Sequence, residues 1–409
     1  MKQNWKRQFM TVYAGQAFSI IGSAAVQFAI IWYLTVQTES AITLTTAAIV
    51  GFLPNALLGP FAGIWVDRYN RRTVMMLADG LVALSSVALG IAFLTAGTPP
   101  VWFIYGVLFL RGIGSTFHSP AMQAAIPMLV PADMLTKAGG WGNLITSGSN
   151  MLGPVLGAAL MGIMPIAAVM LVDILGAGVA IGCLLFIRIP DIPQSGEKLN
   201  LLSDMKQGFR AIRENRLLTA GLPFIVLVGV LFMPLSSLFP LLVLTHFQGE
   251  AIHNSIAELV FAGGMLIASI ALGVWGGMKR KFFMISLSVL VIGLAIAIGG
   301  LLPSSGFAVF VVCAFVMGNT ATFFNVPFMA YIQETTAPEV MGKVFSLLLT
   351  MMTLANPIGL AIAGPLSDWT GVSNWFVYSG LALVLIGLLC WIRTWKHESM
   401  LLQKQNHTV

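Results

Sequence analysis

The chain alternates between long runs of apolar residues and short polar segments. A helix of about 20 residues crosses the hydrocarbon core of a bilayer. Lipid offers no partner for backbone N–H and C=O groups, so each long run is predicted to be an α-helix. The predicted spans lie near residues 9–36, 42–65, 73–96, 101–125, 138–162, 165–188, 217–245, 255–276, 282–303, 306–331, 343–366 and 373–394.

Composition and the placement of charge support a membrane protein and predict its topology. Hydrophobic residues make up 57% of the chain and charged residues only 9%, which excludes an ordinary soluble protein. Every Lys and Arg except Arg111 lies at a terminus or in a loop that follows an even-numbered span. Loops rich in Lys and Arg remain in the cytoplasm, so both termini are expected there. The net charge of +6 therefore indicates membrane topology rather than nucleic-acid binding.

One long polar segment divides the chain into two halves. The predicted organisation is a first six-helix bundle at 1–190, a cytoplasmic linker at 191–216, a second six-helix bundle at 217–396 and a cytoplasmic tail at 397–409. Within the linker, "LLSDMKQGFRAIREN" has the pattern of an amphipathic helix that lies on the cytoplasmic face of the membrane.

The two halves resemble each other in sequence. "FHSPAMQAAIPM" (117–128) matches "FNVPFMAYIQET" (324–335) at Phe, Pro and Met. "GIWVDRYNRR" (63–72) matches "GVWGGMKRKF" (273–282) at Gly and Trp, although the second copy lacks the acid. Such a repeat predicts an all-α membrane protein of two pseudo-symmetric six-helix bundles, the organisation of transporters that alternate around a central site.

The segment "GIWVDRYNRR" concentrates charge in a short turn between two spans. Topology alone accounts for its arginines, but not for the acid or for the glycine one helical turn before it. The glycine predicts close approach of a neighbouring helix, and the acid is expected to sit at the positive end of that helix and pair with an arginine. An acid two turns into span three is expected to pair with the same arginines. The predicted conformational latch comprises Gly63, Asp67, Arg68, Arg71, Arg72 and Asp79.

Two motifs resemble those of a known transporter family. The segment just described resembles the signature loop of the major facilitator superfamily, which usually has Gly where this chain has Asn70; Asn tolerates the same left-handed turn. "GNLITSGSNMLGPVLGAA" in span five resembles the antiporter motif of drug–proton exporters in that superfamily, although small residues also serve tight helix packing. Its core residues are Gly148, Gly153, Pro154 and Gly157.

The whole chain is similar to the macrolide efflux branch of this superfamily, through stretches such as "AGQAFSIIGSAAVQFAIIWYLT", "RGIGSTFHSPAMQA" and "SGFAVFVVCAFVMG". The resemblance implies the major facilitator fold and proton-driven export of macrolide antibiotics by a monomer in the bacterial inner membrane. It also implies a ribosome-protecting ABC-type protein as a partner. Export of another amphiphile or a siderophore, broad drug efflux, and a non-transporting sensor or scaffold remain alternatives.

The sequence contains no motif of an enzyme or of an ATP-driven pump. The Gly-x-x-x-x-Gly-Lys-[Ser/Thr] phosphate loop, His-Glu-x-x-His and Gly-x-Ser-x-Gly are all absent. The histidines at 118, 246, 253, 397 and 407 are predicted to lie in loops, at helix ends or in the tail, which argues against a metal site. The expected energy source is the proton gradient, with no cofactor.

Three charged residues inside the predicted spans are candidates for proton coupling, because a charge in the bilayer is costly. Arg111 and Asp173 lie at similar depths in spans four and six and are expected to pair. A static ion pair that only fixes helix packing is the alternative. Glu258, near the outer end of span eight, is interpreted as a second proton site, as a receptor for the amino sugar of a macrolide, or as an interfacial acid.

A macrolide is large and mostly apolar and carries a basic amine, so its pocket should combine aromatic and Met surface with a few polar groups. The family resemblance places spans one, four, seven and ten at the centre of the protein. Gln16 and Gln27 are the strongest candidates, since an amide in lipid is costly. The full predicted set is Gln16, Gln27, Trp32, Phe232, Met233, Phe323, Phe324 and Asn325.

Overall fold

The computed structural model describes residues 5–131, 134–187 and 201–406, except for the side chains at 60, 64, 67, 136, 137, 143, 201–205, 338, 339 and 401–406. All regular elements in these ranges are helical, which confirms the predicted all-α class. The α-helices are α1 (Trp5–Thr38), α2 (Ala41–Arg68), α3 (Arg71–Ala96), α4 (Val101–Leu129), α5 (Leu135–Ile163), α6 (Ile166–Val169), α7 (Leu171–Leu185), α8 (Leu201–Glu214), α9 (Arg216–Leu241), α10 (Ala251–Trp275), α11 (Lys281–Leu301), α12 (Phe307–Thr335), α13 (Pro338–Thr370) and α14 (Val372–Asn406).

Each predicted span corresponds to helical structure, with two departures. Span six is divided into α6 and α7, with Met170 between them. The last helix does not end near residue 394 but continues to Asn406. Tertiary contacts explain the extension: Glu398 on α14 accepts hydrogen bonds from the backbone N–H groups of Phe282 at 2.8 Å and Phe283 at 3.2 Å. Glu398 therefore anchors this final stretch to the start of α11.

Among the described residues, 11 helical segments are long and apolar enough to cross a membrane. They include every predicted span except the fourth, because α4 carries polar residues along one side, among them Arg111, Ser115 and His118. The chain is a multi-pass membrane protein.

The first compact unit comprises Met1–Thr38 and Thr46–Gly196. Within it α1 packs against α5 and α7, and α3 packs against α4 and α7. The buried residues at one end of the unit form an apolar core that includes Phe9, Val66, Met75, Leu129 and Leu184. Polar side chains occupy the same helices one to several turns further along, and they form the candidate site described below.

The second compact unit comprises Glu39–Thr45 and Glu197–Val409. Within it α11 packs against α12 and α14, α9 against α13 and α14, and α10 against α12. Helix α8, the predicted amphipathic helix, packs against α13 and α9. Its Ile212 is buried with Leu217 and Val344, so this apolar position contacts protein. The predicted bundle boundaries near 190 stay a prediction, since 188–200 lie outside the described residues.

Candidate functional site

Polar side chains on four helices of the first unit converge in its interior. On α1 they recur at positions 16, 19, 23 and 27, on α3 at 79 and 86, and on α4 at 111 and 118. Spacings of three, four and seven residues place side chains on one face of a helix. These faces meet, and α7 adds one carboxylate. The resulting polar cluster consists of Gln16, Ser19, Ser23, Gln27, Asp79, Ser86, Arg111, His118 and Asp173.

At the centre of the polar cluster, Arg111 and Asp173 form an ion pair through Nη1 and Oδ2. Arg111 is 6% exposed and Asp173 is 2% exposed. The predicted pairing of these two residues is therefore present. A buried pair of this kind is retained only when its remaining hydrogen-bonding capacity is also satisfied, because desolvation of both charges is costly.

Serine and glutamine side chains complete the coordination of this pair. Asp173 accepts hydrogen bonds from the hydroxyls of Ser23 at 2.5 Å and Ser86 at 2.6 Å. Arg111 donates from Nη1 to the Ser86 hydroxyl at 2.9 Å, from Nη2 to the Ser23 carbonyl oxygen at 3.0 Å, and from Nε to Gln27 Oε1 at 3.3 Å. Each arginine nitrogen thus has an acceptor, and both carboxylate oxygens have donors. The arrangement ties α1, α3, α4 and α7 together through one pair of charges.

Asp79 does not contact the arginines of the signature loop, and that prediction is wrong. Its carboxylate instead accepts hydrogen bonds from Gln16 Nε2 at 3.1 Å and from the Ser19 hydroxyl at 3.4 Å. His118 Nε2 lies 3.6 Å from Asp79 Oδ1. The reason is the position of Asp79 on α3. It lies about two turns into the helix, on the face that packs toward α1 and α4, whereas the loop arginines precede or begin the helix.

A cavity of about 420 Å³ lies beside the polar cluster in the first unit. Its apolar wall includes Ile20, Phe52, Val82 and Leu108. Its polar wall is formed by the side chains of Ser19, Ser23, Gln27, Asp79, Arg111, Ser115 and His118. The volume lies within the range of about 300–1,000 Å³ that is usual for small-molecule sites. The combination of an apolar wall with a few convergent polar groups is also typical of such sites.

Among the described side chains of the signature loop, Arg72 contacts another helix. Gly63 is exposed, and a Cβ built on it would meet no atom of the described structure within 4 Å; the predicted close approach of a helix at Gly63 stays a prediction. Arg72 Nη2 donates to the Leu185 carbonyl oxygen at 3.1 Å, at the C-terminal end of α7. Arg71 is buried and Arg68 is exposed. The side chain of Asp67 lies outside the described residues, so its part in a latch stays a prediction.

Asn70 caps α3 and does not adopt a left-handed conformation. Its φ is −62° and its ψ is 118°, and its side-chain oxygen accepts hydrogen bonds from the backbone N–H groups of Arg72 and Thr73. The expectation that Asn replaces Gly here because it tolerates a left-handed turn is therefore wrong. Asn at this position satisfies N–H groups that the first turn of a helix leaves without partners.

Replacement of Asn70 by Ala is expected to reduce the free energy of unfolding by about 1 kcal/mol, because two N–H groups lose their acceptor. Asn70→Ser should retain most of the stability, since a serine hydroxyl can accept the same bonds. Thermal unfolding of the purified variants in detergent would measure both effects. Equal stability of Asn70→Ala and the parent protein would contradict the capping role.

The corresponding loop of the second unit is anchored by acids from other helices. Gly276 and Gly277 each have φ of +78°, a conformation that favours glycine, and Gly276 ends α10. After this turn, Lys281 pairs with Glu334 on α12. The Arg280 guanidinium lies 4.2 Å from the ring centroid of Trp395 on α14. Glu334 on α12 and Glu398 on α14 thus both contact the segment that follows this turn.

Two glycines of the motif in α5 lie against α1. A Cβ on Gly153 would stand 2.5 Å from the Cβ of Ala24, and a Cβ on Gly157 would stand 2.6 Å from the carbonyl oxygen of Ala25. Gly148 has no such neighbour within 4 Å among the described atoms. Pro154 is buried inside the same helix. The close approach of α5 to α1 therefore depends on Gly153 and Gly157, and α1 carries four members of the polar cluster.

Gly157→Ala is expected to destabilise the protein by about 1–3 kcal/mol, the usual cost of overpacking an interior. The new methyl group would push against the backbone of α1, which cannot rotate away as a side chain can. Gly148→Ala is the matched control in the same helix and should be neutral or slightly stabilising, since Ala favours helix over Gly. Thermal stability measured by size-exclusion chromatography after heating would compare the two. Equal losses would contradict the close-approach role.

Comparison with known proteins shows the family to which the chain belongs. The profile of the Major Facilitator Superfamily matches residues 12–278 and 235–406. The chain belongs to the Major Facilitator Superfamily. It is 40% identical over 393 residues to Macrolide efflux protein A of Streptococcus pyogenes, which covers 95% of this chain and 96% of the relative. It is 39% identical over 319 residues to Macrolide efflux protein A of Enterococcus faecalis, covering 76% of this chain and 97% of the relative.

A solved structure agrees with the superfamily fold. The bacterial homologue of the human lysosomal transporter Spinster, solved in an inward-facing and unoccupied conformation, aligns with a TM-score of 0.76 over 96% of this chain and 98% of its own. The sequence identity is 13%, so the likeness concerns the fold alone. The predicted superfamily membership and the predicted fold are both confirmed.

The predicted substrate residues of this superfamily member fall in different surroundings. Gln16 is fully buried inside the polar cluster, and Gln27 lines the cavity beside Arg111. Trp32 is buried, with its ring stacked 6.4 Å from that of Phe28, and it is not among the residues that line the cavity. In the second unit the aromatic candidates Phe232, Phe323 and Phe324 are half-buried, whereas Met233 and Asn325 are exposed. Their substrate-binding role stays a prediction.

Glu258 lies inside α10 of the second unit. Its carboxylate accepts a hydrogen bond from Asn254 Nδ2 at 2.8 Å, and Asn254 is fully buried. Its proposed roles in proton transfer or amine binding stay predictions.

Sequence reasoning missed four members of the polar cluster: Ser19, Ser23, Ser86 and His118. His118 in particular was expected in a loop or at a helix end, but it lies inside α4, seven residues after Arg111. The helical spacing of polar residues within each span could have identified all four. Polar residues that repeat with helical spacing inside an apolar span must share one face, and that face avoids lipid.

Proposed function

We propose that this protein exports macrolide antibiotics across the bacterial inner membrane by alternating access, driven by the proton gradient, and so confers antibiotic resistance. The main support is the Arg111–Asp173 ion pair beside a cavity, in a chain 40% identical over nearly its whole length to a Macrolide efflux protein A. The protein acts as a transporter and not as an enzyme. It is proposed to work as a monomer with both termini in the cytoplasm.

The coordination of Asp173 supports a coupling role for this residue. Protonation of its carboxylate would cancel the charge that faces Arg111 and would convert one acceptor oxygen into a donor. The hydroxyls of Ser23 and Ser86 would then have to reorient, and those two residues lie on α1 and α3. A single proton thereby changes contacts on four helices. Arg111 lines the cavity, which links the state of Asp173 to the wall that a substrate would meet.

The cavity supports a substrate of mixed character. A macrolide presents a large apolar ring with a cationic amino sugar, and the cavity combines apolar side chains with the carboxylate of Asp79 and several polar groups. The predicted substrate-binding roles of Phe232 and Phe324 on the second unit remain part of this proposal. Protons and the lipid bilayer complete the set of partners, and a ribosome-protecting ABC-type protein is proposed to act in the same cell without a required contact.

Transport in vesicles tests this function. Purified protein in proteoliposomes should take up labelled erythromycin against its gradient when a pH difference is imposed, and an uncoupler should abolish that uptake. Protein-free liposomes under the same pH difference report passive trapping of a weak base. Absence of flux would favour the sensor or scaffold alternative. Flux of unrelated amphiphiles or of a siderophore in preference to macrolides would favour the broader exporter.

A further inference from the structure

Two carboxylates of the first unit differ in how completely their charge is compensated. Asp173 has a guanidinium partner and two hydroxyl donors, and it is not among the residues that line the cavity. Asp79 does line the cavity, and its hydrogen-bond donors are the neutral side chains of Gln16 and Ser19. The basic group that the structure places near Asp79 is His118, with Nε2 at 3.6 Å from Oδ1.

The hydrogen bonds around Asp79 define the orientation of its neighbours. An ionised carboxylate only accepts hydrogen bonds, so the amide nitrogen of Gln16 must face Asp79. Gln16 Oε1 then faces His118 and accepts from Nε2 at 2.7 Å. This assigns the hydrogen to Nε2 of His118 and directs it at Gln16. Nε2 therefore donates its hydrogen to Gln16 and not to Asp79, so both hydrogen-bond donors that the described structure gives Asp79, Gln16 and Ser19, are neutral.

A carboxylate in such a position favours a cation from the cavity. Burial of an ion is costly unless a charge of opposite sign or strong hydrogen bonds accompany it. The other charged groups at this cavity, Arg111 and its partner Asp173, already neutralise each other. An ammonium group in the cavity would reach Asp79 beside the imidazole of His118, with the apolar wall of Phe52 and Leu108 available to the rest of the ligand.

We infer that Asp79 is the receptor for the protonated amine of the transported amphiphile, with His118 and Gln16 beside it, and that Asp173 does not bind the substrate amine. This inference rests on the proposed export function and names the group of the substrate that the first unit recognises. The cavity of about 420 Å³ accommodates an amino sugar more readily than a whole macrolide. The amine-bearing sugar therefore enters the first unit, and the apolar ring remains outside this cavity.

Binding of two matched ligands tests the inference. Erythromycin carries a basic dimethylamino group, whereas erythromycin N-oxide has the same ring and sugars without a protonated amine at pH 7. Equilibrium binding to the purified full-length protein should favour erythromycin. In Asp79→Asn the affinity for erythromycin should fall about 10–100-fold, the range expected for loss of a charge-assisted hydrogen bond. The affinity for the N-oxide should change less than about threefold, which also shows that the variant is folded.

Two further variants make the result specific. Glu214→Gln removes an acid that is exposed on α8, and it should leave both affinities unchanged. Glu258→Gln removes the other candidate acid; if this variant, and not Asp79→Asn, abolishes the preference, the inference is overturned. Equal losses for both ligands in Asp79→Asn would overturn it as well. Failure of the parent protein to bind either ligand would overturn the macrolide assignment itself, whereas retained preference in Asp79→Asn would overturn only the amine site.

Discussion

Arg111→Ala is expected to reduce the free energy of unfolding by about 3–5 kcal/mol, the usual cost of leaving a buried charge without its partner. Asp173 would keep its serine donors but would lose the only guanidinium that the described structure places beside it. Ser86 and Gln27 would also lose their contacts with the arginine. Thermal and chemical unfolding of the purified protein in detergent would measure the change.

A double variant separates the orphaned charge from the lost packing. Arg111→Ala with Asp173→Asn removes both charges, so it should be more stable than Arg111→Ala alone, although it contains one more substitution. Additive losses would contradict a direct interaction between the two residues. Lys281→Ala is the matched control, because its partner Glu334 is 64% exposed and a pair in water contributes about 0–1 kcal/mol.

Asp173→Asn is expected to abolish the accumulation of macrolide driven by a pH gradient while retaining exchange of labelled for unlabelled macrolide. Asparagine has nearly the same shape as aspartate, but it cannot take up and release a proton. Net uphill transport requires that proton, whereas exchange of substrate across the membrane does not. Both rates are measured in proteoliposomes, with the pH difference present for accumulation and absent for exchange.

The two assays together distinguish coupling from a structural role. Loss of both activities would indicate that the ion pair only maintains the packing of α1, α3, α4 and α7. Normal uphill accumulation by Asp173→Asn would remove Asp173 from the coupling mechanism. Glu214→Gln, which neutralises an exposed acid on α8, should show neither defect. A normal ratio of exchange to accumulation in this control excludes a general effect of altered net charge.

The fold was largely predictable, because membrane insertion restricts what an apolar run can do. Runs of sufficient length had to be helices, and every predicted span is helical in the structure. The internal repeat and the signature segments pointed to the superfamily, and the pairing of Arg111 with Asp173 followed from two charges at equal depth. These features are local or depend only on position along a helix.

The candidate site was predictable only in part. Asp79 was assigned to the loop arginines on the basis of sequence distance, but its direction on α3 takes it to Gln16 and His118. Within the motif of α5, Gly153 and Gly157 lie against α1, whereas Gly148 has no neighbour within 4 Å among the described atoms. The sequence shows which residues are small or charged. It does not show which face of each helix meets a neighbour.

The amino-acid sequence by itself determined that this chain is a helical membrane protein of two related halves with a few costly charges inside its spans. The tertiary structure decided which of those charges meet and which polar groups surround them. The reason is that helix formation in lipid follows from local composition, whereas the partners of a buried side chain depend on the rotation and depth of every helix packed around it. In the sequence, Asp173 and Asp79 are both acids inside predicted spans. Only the packing of the helices pairs Asp173 with Arg111 and places Asp79 in the wall of the cavity.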